Sequence, residues 1–307
     1  MHMKKINLLS GLFIAMTMIS CSQDELQNIN IEVAESAVTA TISDAATTRT
    51  MMDADGKVLW LSGDDISLML KAGYHNRYVV SGAVNSNATT FAQDPSTAEI
   101  ALNKVLPCHY AVYPYNSGIT VSDDANSLTV DVSGWANQSY TEGTFEDDKA
   151  IMTAKSTNLN LAFKNAFSLF EFKLSSKVSG SYSITSISVT SEAHALNGTA
   201  TIDMSLTEPY LACTGTAAEN KTNTLSLSSP IMLTQTPKAF YLLVPVGTYE
   251  PNDLTITFAG TNELDGTPIS KSVNPTFEVE CIRSKKTTIN KVFEAVEFSG
   301  STEDTNQ

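Results

Sequence analysis

Histidine, cysteine and positive charge are all scarce in this chain, and each scarcity removes a class of function. The 307 residues include four histidines, His2, His75, His109 and His194. They stand apart, and none has the spacing of a metal-ligand set. No HExxH, GxSxG, P-loop, CxxC or GxGxxG string occurs, so the usual signatures of hydrolytic, nucleotide-binding and dithiol chemistry are missing. The sequence nominates no catalytic residue, metal site or cofactor, and the chain is expected not to be an enzyme. The body carries three cysteines, Cys108, Cys213 and Cys281. At least one stays unpaired unless chains are bridged, which is not the pattern of a disulfide scaffold. Lys and Arg number 19 against 33 Asp and Glu, for a net charge of -14, and the strongest basic cluster is Arg283-Ser284-Lys285-Lys286. No nucleic-acid partner is expected, because phosphate binding draws its affinity from basic residues. The apolar run at residues 6–19 is shorter than the roughly 20 residues that cross a bilayer. No stretch of about a dozen residues carries a helical stripe.

Alternating patterns fill the remainder. Apolar and polar residues take turns at 66–70, 77–81, 88–92, 98–103, 108–113 and 128–132. They do so again at 159–163, 183–190, 198–204, 224–227, 239–245, 254–259, 270–274 and 286–298. Period two means half-buried strand, and many short strands separated by Gly, Pro, Asn and Asp mean an all-β fold. Residues 167–174 are apolar on both parities at their start and alternate afterwards, as a strand entering a core between two sheets would. The length suits two β-sandwiches, at 50–156 and 157–307. Asp55-Gly56 predicts a hairpin between 47–53 and 58–61. A calcium loop there fails, since Met51 and Ser62 fall where the first ligand and the bidentate Glu belong. Asp64 and Asp65 read as turn carboxylates that cap backbone amides. Cys108 and His109 are neighbours on a strand, point to opposite faces and cannot form a dyad. Tyr110, Tyr113 and Tyr115 read as half-buried packing, with a sugar-stacking platform as the alternative.

The N-terminus has its own organisation. Lys4 and Lys5 precede the apolar run, and Met18-Ile19-Ser20-Cys21 ends it with a small-residue cleavage site. That order predicts a signal peptide over 1–20, with Cys21 as the acylated first residue of a bacterial lipoprotein. The acidic Ser22-Gln23-Asp24-Glu25 resembles stretches that send Gram-negative lipoproteins to the outer face of the outer membrane. Ile29, Ile31 and Val33 alternate with polar residues, and after a change of phase Val38, Ala40 and Ile42 do the same. Residues 45–50 are small and polar around Arg49, which reads as an exposed linker; a surface arginine and a processing site both remain open.

Together these segments resemble the fimbrillin family of type V pilus subunits. The resemblance rests on the Met18-to-Cys21 lipobox, Thr48-Arg49-Thr50, and Trp60-Leu61-Ser62-Gly63-Asp64-Asp65-Ile66, which is similar to a W-x-x-G-D-x-I segment. It rests also on Ala111-Val112-Tyr113-Pro114-Tyr115 and on Leu161-Ala162-Phe163-Lys164-Asn165-Ala166-Phe167-Ser168-Leu169-Phe170, in which Asn165 stands where the family usually has histidine. The resemblance implies two tandem transthyretin-like β-sandwich domains after a lipoprotein signal peptide. It implies acylation (palmitate) at Cys21 and cleavage between Arg49 and Thr50 by an Arg-specific protease, which removes a propeptide, 21–49. Loss of the strand carrying Ile29, Ile31, Val33, Val38 and Ile42 would open a groove. A C-terminal strand of the next subunit, with Ile289, Val292, Val296 and Phe298, would fill it. The expected function is a structural or adhesive subunit of a cell-surface fimbrium. Its expected partners are other fimbrial subunits, the outer membrane through the lipid, and host or bacterial surface ligands. The alternative is a non-polymerising carbohydrate-binding lipoprotein of the outer surface.

Overall fold

The computed structural model describes residues 38–43, 59–71, 73–97, 105–124, 126–214 and 218–294, which all belong to one compact unit. The signal peptide, Cys21, Ile29, Ile31, Val33, Arg49, Thr50, the Asp55-Gly56 hairpin, the strand expected at 98–103, Val296 and Phe298 lie outside the described residues.

The fold is all-β. The first strands are β1 (Val38–Ile42), β2 (Asp65–Lys71), β3 (Tyr74–Val80), β4 (Ala88–Gln93), β5 (Val105–Tyr113), β6 (Thr120–Val121), β7 (Ser127–Asp131) and β8 (Asn137–Ser139). They continue as β9 (Met152–Ser156), β10 (Asn160–Asn165), β11 (Ser168–Ser176), β12 (Tyr182–Ser191), β13 (Thr199–Asp203), β14 (Leu211–Cys213) and β15 (Thr222–Met232). The last are β16 (Lys238–Val244), β17 (Gly247–Tyr249), β18 (Leu254–Asn262), β19 (Thr267–Val273), β20 (Val279–Cys281) and β21 (Lys286–Phe293). Among the described residues the only helical pieces are three 3-10 turns.

Seven strands close a barrel in the order β1-β10-β9-β5-β2-β3-β4. Residue 156 is the last of β9, and β10 on its far side continues the same barrel, so the expected boundary at 156/157 falls between two paired strands. The second body packs the sheet β16-β11-β21 against the sheet β19-β18-β12-β15-β8. A further sheet, β14-β13-β7-β6, joins strands from both halves of the sequence. At the bulge between Ile184 and Ser186 on β12, the β18 backbone comes so close that a Cβ on Gly260 would stand 1.8 Å from the Ser183 oxygen. Only glycine fits there.

Three apolar cores follow from strand parity. On β5, Ala111 and Tyr113 face the barrel interior, while Tyr110 and Val112 face a middle core under the shared sheet. Phe167, just before β11, and Leu169 on it enter that middle core before Phe170, Phe172 and Leu174 turn into the sandwich. The double parity at the start of 167–174 has this origin.

Candidate functional site

The barrel closes because β1 is paired on both edges. It runs parallel to β10, from Thr39 opposite Asn160 to Ile42 opposite Phe163, and antiparallel to β4, from Val38 opposite Phe91 to Thr41 opposite Ala88. Thr39 N donates to Leu159 O at 2.8 Å, Ile42 N to Asn87 O at 2.9 Å and Ser43 N to Phe163 O at 2.9 Å. The sequence Val-Thr-Ala-Thr-Ile turns Val38, Ala40 and Ile42 inward and leaves Thr41 exposed. Beneath them sits Trp60, fully buried, edge to face with Phe91, Tyr113 and Phe163 at 5.2–5.4 Å.

The strings Trp60-to-Ile66 and Tyr113-Pro114-Tyr115 meet at this corner of the barrel. Asp64 accepts hydrogen bonds from Leu61 N at 2.7 Å and from the Tyr113 hydroxyl at 2.9 Å, so it is an amide-capping carboxylate. Asp65 pairs with Arg77 at 2.7 Å, and Arg77 reaches Asp94 at 3.0 Å. Asn165 is fully buried at the end of β10, where its backbone oxygen accepts the Ser284 hydroxyl at 3.0 Å.

Of the residues expected in strand exchange, Val38 and Ile42 lie in the barrel, whereas Ile289 and Val292 lie on β21 in the sandwich. There β21 runs parallel to β11, with Leu169 opposite Lys286 and Ser176 opposite Phe293. Phe293 is fully buried against Tyr182 and Phe258, Ile289 is half-buried and Val292 is exposed. Glu171 fastens the start of β21. Its carboxylate accepts from Lys286 Nζ at 2.8 Å, the Thr288 hydroxyl at 2.7 Å and the Tyr241 hydroxyl at 3.1 Å. Burial opposes its ionisation, but these hydrogen bonds and the Lys286 charge hold its pKa down to about 2.

Residues with chemical potential are held in structural roles. Burial pushes the Cys213 and Cys281 thiols up to about 12, so neither is a thiolate at neutral pH. Tyr110 and Tyr113 are buried and offer no stacking face. Tyr115 is half-buried beside His75 and Arg77. Ser191, His194 and Asp253 come together, but Ser191 is fully buried and its hydroxyl donates to both Asp253 oxygens at 3.0 Å. The histidine is therefore not its base.

The residues flanking β1, Thr89 and Phe91 on β4 and Leu161 and Phe163 on β10, are not marked by the sequence as its neighbours. Alternation marks these residues as inward-facing but says nothing of which strand lies beside which.

No protein-family model and no curated protein matches the chain. Among solved structures, a "putative cell adhesion protein" from Bacteroides uniformis aligns at 16% identity with a TM-score of 0.50, covering 84% of this chain and 92% of the other. A second "putative cell adhesion protein", from Bacteroides ovatus, aligns at 12% identity with a TM-score of 0.53, covering 86% and 93%. The chain shares its fold with these two. A fimbrial protein from Bacteroides ovatus aligns at 15% identity over 84% of this chain and 50% of the other, with a TM-score of 0.33, too low to bear on the fold.

Proposed function

We propose that this chain is the precursor of a fimbrial subunit, structural or adhesive and without catalysis. It is exported as an outer-membrane lipoprotein through Cys21 and assembled after cleavage between Arg49 and Thr50. One observation carries the reading: β1 precedes Arg49 in sequence, yet it is hydrogen-bonded on both edges within a barrel whose other strands all follow that residue. A cut at Arg49 frees β1 from the chain. Its departure leaves β4 and β10 with unpaired edges on either side of an apolar slot, the kind of template that takes up a strand from another chain. Val38 and Ile42 each contribute roughly 1.5–3 kcal/mol by burial, and a replacement strand recovers that energy in one register. Addition of this kind passes from subunit to subunit without closing, which makes a filament. The adhesion names carried by the two structures of shared fold agree with a cell-surface role.

Arg49→Ala tests the reading. The variant is expected to stay lipidated at Cys21, to keep β1 and to form no filaments by electron microscopy, while the parent chain recovered from filaments begins at Thr50. Filaments of normal length from the variant would rule out release at Arg49. For the glycan-binding alternative, burial of Tyr110 and Tyr113 leaves only Tyr115 of the three tyrosines named as its platform.

A further inference from the structure

The slot that β1 occupies has a size rule, which rests on the release reading above and specifies the partner. The three inward side chains of β1 are 3%, 1% and 8% exposed at Val38, Ala40 and Ile42. The middle one is a single methyl group, opposite Thr89 on one side and Leu161 on the other. The apolar cluster beneath holds Trp60, Phe91, Tyr113 and Phe163. A larger group at the centre has nowhere to go in an interior packed like a crystal. A charge there loses its water.

The chain's own C-terminal segment does not obey this rule. Taking alternate residues through 286–300, two triplets are apolar at both ends, Ile289-Lys291-Phe293 and Val292-Glu294-Val296, and each has a charge in the middle. Phe293-Ala295-Glu297 has a small centre but ends in a carboxylate, and Val296-Phe298-Gly300 has an aromatic centre. The propeptide's other alternating run, Ile29-Ile31-Val33, is branched and large at its centre. β21 is moreover already committed to its own sandwich through Phe293 and Glu171.

We propose that the vacated slot takes a strand with a small residue between two branched aliphatic ones at alternate positions, and that a subunit of different sequence supplies it. Assembly at this slot is then between unlike chains.

The test uses the full chain with a site-specific protease sequence inserted at Arg49, so that after cutting β1 stays bound but exchangeable. Fluorescent peptides compete for the slot and are followed by anisotropy and native mass spectrometry: residues 36–44, the same peptide with Ala40→Ser, the same with Ala40→Lys, and residues 286–298. The first two should exchange in with similar affinity, and the last two should bind at least ~10-fold more weakly. Equal binding of 286–298 and 36–44 would overturn the size rule and the unlike partner while leaving strand release intact. Failure of the 36–44 peptide itself to exchange would overturn strand release, and this proposal with it.

Discussion

Trp60 and Asp64 show how much a short motif reports at the level of single residues. Trp60 touches three aromatic rings drawn from β4, β5 and β10, so Trp60→Ala removes the one side chain that all of them pack on. We expect a loss of about 3–5 kcal/mol, read as a lower urea midpoint with little change in slope. Asp64→Ala removes the acceptor of the Leu61 amide and the Tyr113 hydroxyl, for which about 1–3 kcal/mol is expected in the same assay. The capping role of Asp64 was legible because its amide partner is three residues away. The tyrosine is 49 residues away, and nothing local announces a contact of that separation. Asp65, expected to cap as well, does accept the Tyr115 amide at 3.3 Å, and it also pairs with Arg77 at 2.7 Å, a long-range partner that nothing local announces.

Strands were legible when they were long enough to alternate. β18 repeats buried and half-buried residues along its whole length, and β1 was marked by the same rhythm in only five residues. β6, β8, β14, β17 and β20 have two or three residues each, too few to show a period. Pairing was the other blind spot: alternation gives the face of a strand and not its neighbour, so a closed barrel stands where a two-sheet sandwich was expected from strand spacing. The hold of Glu171 on β21 gives this scale its own prediction. A carboxylate whose folded pKa is lowered contributes stability that is present above its ordinary value near 4.5 and is lost as the pH falls from there towards about 2. Glu171→Gln should destabilise the chain by about 1–3 kcal/mol at neutral pH and flatten the acid limb of the stability curve. Hydrogen exchange at the β21 amides should be the first to rise.

The halves of the molecule are tied by more than the chain between them. Arg283, in the turn before β21, is mostly buried and donates to the Thr153 hydroxyl on β9 at 2.9 Å and to the Lys164 carbonyl on β10 at 3.4 Å, besides pairing with Glu208. In the sequence it belonged only to a modest basic cluster. Arg283→Ala is expected to cost about 1–3 kcal/mol, nearly all of it from the buried hydrogen bonds, since Glu208 is largely exposed. Calorimetry should show the single heat-absorption peak broadening as the barrel and the sandwich begin to melt apart. Closure by β1 also governs how the barrel, unlike the open sheets beside it, behaves in a crowd. A sheet without free edges offers its copies nothing to pair with. On the release reading proposed above, the strand that completes the barrel of the uncut chain is also what withholds that barrel from its copies.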